Sequence, residues 1–480
     1  MSNLQSINFG FSSAEAERSR DPGLLIDGYV DIEAASESAV NGNDFLFLGY
    51  KGTGKSSIAE RVDLIYADEP NVFVKTISLS DFPFTQFSKI VRGNIEPESK
   101  FTTAWMWIIL IYLLDSFSKD SGIHHPDVGI FNDAINSFKQ MGLSPSSDIT
   151  SIVRNSSKKN FSLSLPGKLA SLNWSGSEQR PASEIPDFVE SLREIIRPLR
   201  SYSKHILIID GLDDVLTSRQ TQYKSLSALI FEMNRLNNDL EKNNVPAKVV
   251  VLCRTDIFEQ IPGANNNKIR QDFSLELDWY HDPREPEKSL LIRIAQLRAK
   301  RSLKREVDIF KSFFPSYLDR KEIKQYLLDM TRHTPRDFLR LLEHIKKFSQ
   351  SGRLSSDEIK SGLRDYSIRY FLPEIRDELS GYAEPSEIDS FIQGLSRLRR
   401  RDFYMDDLLK SMKETNSNTD EERIFEITDS LFRCSAIGNI QYRKGGSTFY
   451  TFKYRNRHSS FNPEEAIMLH RGLWKALNLM

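Results

Sequence analysis

Only two cysteines occur in the 480 residues, Cys253 and Cys434, far apart and without a CxxC. A disulfide scaffold and a cysteine-rich zinc site are thereby excluded, and a reducing, cytoplasmic setting is expected. The eight histidines form no HExxH or HxH pair, so no metal site built from protein ligands alone is expected. Long apolar runs are missing too. The longest, Ala104 to Leu114, has eleven residues, against the roughly 20 that a bilayer span needs, and it reads as a buried helix. The N-terminal MSNLQSINFGFSSAEAERSR has no continuous apolar segment, so neither a secretory signal nor membrane association is expected. No repeat of fixed period is visible. Net charge is lacking as well: 65 Lys+Arg stand against 66 Asp+Glu, a formal −1. That rules out a chain that coats nucleic acid along its whole length, but not a local basic face.

What is present is a globular balance, 39% hydrophobic and 27% charged, long enough for about two to four domains. Residues 1–38 are polar and mixed, an N-terminal extension. FLFLGYKGTGKSSIAERVDLIY then reads as a strand (Phe45–Leu48), a glycine loop and a helix from about Lys55. Val72–Ser80 reads as a second buried strand, and helical pattern fills Pro83 to Met141. Residues 142–185, dense in Ser, Pro, Asn and Gly, read as an inserted loop or small β-hairpin. A helix from Asp187 leads into the strand Ile206–Asp210, and Val249–Cys253 and Phe273–Trp279 supply two more. Strands separated by helices predict parallel βαβ units, hence an α/β sheet covered on both faces. The core would span 39–282 and a helical lid 283–352. The remaining 353–480 holds helices followed by two strands around a Gly-Gly turn, a winged-helix-like order.

The strongest chemical signal is Gly49-Tyr50-Lys51-Gly52-Thr53-Gly54-Lys55-Ser56, a complete GxxxxGK[ST] loop between a strand and a helix. Gly49, Gly52 and Gly54 let the backbone curl until the amides around Thr53 point at phosphate oxygens, and the helix adds its positive N-terminal end. Lys55 would reach the β- and γ-phosphates, Ser56 would place its hydroxyl on Mg²⁺, and Ser57 closes the cradle. ATP and Mg²⁺ are the expected ligands. The second signal is Ile206-Leu207-Ile208-Ile209-Asp210-Gly211-Leu212-Asp213-Asp214. Asp210, at the carboxyl edge of a parallel sheet, would hold Mg²⁺ through a water, and Asp213 or Asp214 would orient or deprotonate the attacking water.

Competing classes lack their marks. No NKxD guanine-reading motif occurs. The nearest match to an ABC signature, Leu379-Ser380-Gly381-Tyr382, follows the acid-tipped strand instead of preceding it. What remains is an ASCE-type P-loop NTPase, with an added strand between the P-loop strand and the acid-tipped one.

Here the residues resemble a family. The hhhhDGLDD form, Arg254 after VVVLC, and Thr334-Pro335-Arg336 in HTPRDFLRLL are similar to the AAA+/STAND group of bacterial P-loop ATPases. The FGF…AE…GYVD segment and MLHRGLWKALN extend the likeness over most of the chain. The resemblance implies a sensor-1 role for Arg254, a sensor-2-like role for Arg336 and an arginine-finger role in a neighbouring subunit for Arg270. It further implies a homo-oligomer and a regulatory role in bacterial anti-phage defence beside a separate effector. DGLDD, in place of the DE of most AAA+ motors, favours a slow switch.

One basic region stands out. Arg433, Arg443, Lys444, Lys453, Arg455, Arg457, Arg471 and Lys475 face only Glu464 and Glu465 in the span 433–475, with Tyr442, Phe449, Tyr450, Phe452 and Tyr454 interleaved. Such a region suits DNA or RNA contact by a winged helix, and equally a hairpin with buried aromatics and solvated cations. Arg397-Leu398-Arg399-Arg400-Arg401 would add to that face. The alternatives to a switch are a DNA-binding loader of the origin-recognition or transposition-helper kind and an ATP-binding scaffold.

Overall fold

The computed structural model describes residues 3–92, 96–143, 148–158, 185–212, 220–263, 265–350, 352–415, 420–443 and 446–479. The chain forms two compact units. One comprises Asp31–Tyr50 and Lys55–Leu277, the other Met1–Val30, Lys51–Gly54 and Asp278–Met480.

The first unit is an α/β layer built on five parallel strands: β1 (Leu46–Leu48), β2 (Val72–Ser78), β3 (Lys204–Asp210), β4 (Ala247–Cys253) and β5 (Ser274–Glu276). Their order is β2-β3-β4-β1-β5. The central strands are runs of Val, Ile and Leu buried over most of their length, as a parallel sheet covered on both faces requires. The added strand is β4, which registers Val251 with Ile209 on one side and Cys253 with Leu48 on the other. β5 is shorter than Phe273–Trp279. Leu277 N still donates to Leu48 O, but the Asp278 carboxylate then accepts from Tyr280 N and turns the chain, a local bond that competes with the ladder.

The apolar run Ala104 to Leu114 lies in the helix Pro97–Ser118. By length and composition Glu98–Ser118 would pass for a membrane span, but 72% of that window is buried inside the protein. Trp105 and Trp107 are buried in it, and their indoles donate to Ser225 and Ser156. It is the core helix of this unit. The 142–185 reading needs correction: Ile149–Ser156 is a helix, capped by Asp148 and burying Ile149, Ile152 and Val153. Residues 159–184 lie outside the described ones.

The second unit carries the helices Leu290–Leu303, Pro335–Lys346, Ser356–Tyr366 and Leu372–Leu379. It also holds a short pair the sequence did not announce, β6 (Tyr317–Leu318) and β7 (Lys321–Glu322). Just past the expected lid boundary at 352 a helix starts at Ser356, where Ser355 and Glu358 form a reciprocal capping box. Next come the helix Pro385–Leu398, β8 (Asp402–Phe403), and the helices Met405–Thr415 and Glu421–Arg433. The strands β9 (Ile437–Tyr442), β10 (Thr448–Thr451) and β11 (Ala466–Leu469) follow. They make an antiparallel sheet ordered β10-β9-β11-β8, with the expected hairpin pairing Tyr442 with Thr448.

The N-terminal FGF…AE segment is part of this unit, and its anchor is Arg298. This buried guanidinium donates to both oxygens of buried Glu17 at 2.6 and 3.0 Å, to Phe9 O at 2.6 Å and to Gly28 O at 3.1 Å. Removing one partner of such a pair strands the other in low dielectric. Arg298→Ala is expected to cost about 3–5 kcal/mol, read as a lower denaturant midpoint. A loss within experimental error would remove Arg298 as the anchor.

Candidate functional site

The phosphate loop begins locked to β4. Gly49 N donates to Cys253 O, and Gly49 O accepts from Thr255 N, both at 3.3 Å. Gly52 and Gly54 then take φ of +83° and +96°, a region that side chains with a Cβ avoid. Gly52 is constrained twice, because a Cβ there would lie 3.1 Å from Thr334 Oγ1 and 3.2 Å from Arg336 Cβ. Lys55 opens the helix Lys55–Ile65 and turns its buried ammonium back onto Gly49 O at 3.0 Å and Tyr50 O at 3.2 Å. Ser56 and Ser57 follow in the first turn of that helix.

Lys51–Gly54, the loop tip, belongs to the second unit, which holds it by two hydrogen bonds and an ion pair. Arg336 N donates to Gly52 O at 3.3 Å, the Trp279 indole donates to Thr53 O at 2.9 Å, and Lys51 Nζ lies 3.3 Å from Glu374. Arg336 stands second in the helix Pro335–Lys346, whose start is set by Thr334 accepting from Asp337 N and by Pro335 at the first position. Its guanidinium is 3.7 Å from the same Glu374. One carboxylate therefore faces two cations beside the loop. Glu374 and Trp279 escaped the sequence reading because no spacing rule links them to a loop more than two hundred residues upstream.

Asp210 ends β3, with its carbonyl accepting from Leu79 N at 2.8 Å. Gly211 follows at φ +79°, where a Cβ would meet Ser80 N at 3.0 Å and Leu79 N at 3.1 Å. A glycine is thus needed to turn the chain beside β2. Because β4 intervenes, Asp210 stands two strand spacings from the P-loop strand, about 10 Å of backbone separation. That leaves room for a hydrated cation and a phosphate. Asp213 and Asp214 lie outside the described residues.

Arg254 is placed just after β4 and is already engaged. Its Nε and Nη2 donate to Asp256 at 3.0 and 2.6 Å. Asp256 is buried, yet the guanidinium beside it and the nearby Lys55 hold its carboxyl below the usual range. Arg270 sits in the helix Asn266–Phe273, 2.5 Å from Glu276 and 3.7 Å from Glu259.

The basic C-terminal region is largely spent inside the second unit. Arg433 pairs with Asp429, Arg455 and Arg471 with Asp329, and Arg457 with Asp278. Arg443 lies over the Phe449 ring and Arg401 over the Trp474 ring. Lys444 lies outside the described residues. The helix Glu421–Arg433 exposes Glu421, Glu422 and Glu426, and its Arg423 is held by Glu387 and Glu426.

Preceding Arg336, Arg332 is buried and donates to both oxygens of Asp337 and, at 2.6 Å, to Glu378. His333 takes a left-handed φ of +54° and is buried between Tyr280 and Tyr454, ring centroids 5.1 and 5.2 Å away. Neither ring nitrogen has a hydrogen-bond partner.

A strand, glycine loop and helix on a five-stranded parallel sheet, with an acid-tipped strand one place removed, define a P-loop ATPase core. Comparison with known families agrees. Residues 149–278 match the ATPase family associated with various cellular activities (AAA), and residues 289–372 match the FunZ-associated C-terminal helical domain. The chain thus carries an AAA ATPase domain, which implies binding of ATP and Mg²⁺, followed by a helical domain of that second kind. The AAA match covers β3, β4 and β5 and leaves out the loop at 49–56, whose assignment stands on motif and geometry.

Among solved structures, the Orc1 protein of Aeropyrum pernix in complex with DNA is similar at 13% identity and TM-score 0.39, over 95% of this chain and 94% of that one. Cdc6p of Pyrobaculum aerophilum follows at 12% and 0.32, over 98% of each. The Holliday junction branch migration motor RuvB of Thermotoga maritima stands at 12% and 0.30, over 92% and 96%. No curated protein matches.

Burial pushes the His333 imidazole down to about 3. Above pH 6.5 the ring is neutral folded and unfolded, and it adds nothing to the pH dependence. Below pH 6.5 the unfolded chain takes a proton that the folded one refuses, so stability falls with pH until about pH 3, by about 1.4 kcal/mol per pH unit. His333→Asn keeps a residue that tolerates positive φ and removes the titration. The slope of stability between pH 6.5 and 4.5 is expected to flatten by about that amount, measured by denaturant unfolding. An unchanged slope would refute the assignment.

Proposed function

We propose that the protein binds and slowly hydrolyses ATP, and that its nucleotide state sets the second unit as an oligomerising regulatory switch. The observation that carries this reading is Glu374, which holds Lys51 and Arg336 beside the phosphate loop. A polyphosphate and a carboxylate compete for the same cations. Phosphates cradled by Gly52–Lys55 would draw Lys51 and Arg336 away from Glu374, and loss of phosphate would return them. Glu374 lies in the helix Leu372–Leu379, so that exchange acts directly on the segment leading to the C-terminal sheet.

Ser56 and Asp210 would hold Mg²⁺, which when bound neutralises charge on the phosphate oxygens. Lys55 would hold the β- and γ-phosphates, and Asp213 or Asp214 would orient the attacking water. Arg254, steadied by Asp256, would sense the phosphate. Arg270 would act on a neighbouring subunit only by leaving Glu276 and Glu259. The anti-phage setting and the separate effector rest on the family resemblance.

A second reading is a DNA loader with a winged-helix-like C-terminal region. The element order favours it: helix, β8, two helices, then β9 to β11. The paired cations and the acidic surface of Glu421–Arg433 weigh against groove contact. A salt-dependent shift of duplex DNA by the full chain would revive the loader.

Lys55→Ala is expected to abolish ATP hydrolysis and weaken ATP binding at least about tenfold, measured by phosphate release and calorimetry. Intact activity would overturn the core assignment. Glu374→Gln removes the competing carboxylate and is expected to tighten ATP binding about threefold to tenfold. Unchanged affinity would remove Glu374 from the switch.

A further inference from the structure

The second unit contains a cavity of about 490 Å³, lined by β10, β11, the 280–284 segment and residues from Lys321 to Asp329. We propose that it binds a small phosphorylated ligand bearing a planar ring, of mononucleotide size, at a place distinct from the phosphate loop. Its volume falls within the range of small-molecule sites.

The charge at its base is unbalanced. Buried Asp329 receives Lys321, Arg471 at 3.4 Å and Arg455 at 3.6 Å. Three cations converge on one carboxylate, while Asp282 and Arg284 in the same wall neutralise each other. A local excess of positive charge in a partly desolvated cavity is stabilised by an anion with several acceptor oxygens, and a phosphate group suits a guanidinium fork.

The walls are aromatic. The Arg455 guanidinium lies 5.4 Å from the Tyr454 ring centre and 5.6 Å from that of Phe452. Tyr450 remains 39% exposed, where a planar ring can stack. Phosphate-binding cations beside stacking faces select a nucleotide-like molecule over a bare anion or an apolar one.

The cavity is wired to the segment that carries Arg336. Two residues after Asp329, Thr331 O faces His470 Nε2 at 3.2 Å, and His470 lines the cavity. His333 is stacked on Tyr454 and tilted against Tyr280, which are both cavity walls. With no hydrogen bond to its ring nitrogens, packing alone fixes the ring. A ligand that draws Lys321, Arg455 and Arg471 off Asp329 would shift this stack, three residues before Arg336. Binding stands on the cavity alone, whereas coupling to hydrolysis rests on the function proposed above.

The test uses the full chain with its phosphate loop saturated by Mg-ADP, titrated calorimetrically with AMP and, in parallel, with a 5′-phosphorylated dinucleotide. Saturable binding of one ligand per chain is expected. Arg471→Gln should weaken it about tenfold, and so, by a smaller factor, should Tyr450→Ala at its exposed position. Lys55→Ala should leave it unchanged. Whichever of the two probes binds tighter identifies the source of the phosphate, and either supports the site. Absence of saturable binding at millimolar probe would overturn the proposal. So would binding lost in Lys55→Ala but kept in both Arg471→Gln and Tyr450→Ala. ATP hydrolysis, read separately, distinguishes failure of this site from failure of the switch.

Discussion

The second unit depends on one buried cation. Arg332 spans the helix Pro335–Lys346 through Asp337 and the helix Leu372–Leu379 through Glu378, and it also reaches the carbonyl of Cys434. Tyr370 donates a further bond to Asp337. A charged group out of water is tolerated only when its partners are complete, and the two carboxylates hold the Arg332 guanidinium firmly protonated. Breaking any arm leaves an uncompensated charge in the interior. The network therefore fixes the geometry of these helices more than it adds net stability.

That constraint gives the neighbouring contacts their meaning. Glu374 and Glu378 are four residues apart on one helix and so share a face. Glu378 is committed to Arg332 in the interior, while Glu374 meets Lys51 and Arg336 beside the phosphate loop. The same helix thus carries one ionic contact in the interior and one beside the phosphate loop. Under the proposed switch, a change of charge at the loop would act on the second without disturbing the first, as a two-state element requires.

Charge bookkeeping also alters the reading of the C-terminal region. Cations that look like a nucleic-acid face in sequence are partnered by Asp278, Asp329 and Asp429, two of them far away in the chain. Around Asp329 the imbalance is local: three cations meet one carboxylate in a cavity with aromatic walls. A neutral whole-chain sum and a basic C-terminal count both miss this, since neither records which charges meet.

Much of the ATPase core was legible because its determinants are local. Glycine at positive φ, a strand running into a helix, and alternation of buried strands with helices follow from steric and hydrophobic rules acting over a few residues. Those rules led directly to the loop at 49–56, to Asp210 at a strand end and to an added strand, which the sheet order shows to be β4. They failed where a short-range bond cut across the pattern, as when Asp278 ended β5, and at Ile149–Ser156, whose apolar residues lie in a polar stretch. The pairings of Arg336 with Glu374 and of Arg332 with Glu378 were decided only by tertiary structure. A long side chain takes whichever carboxylate the fold brings within a few ångströms, and no sequence period encodes that meeting.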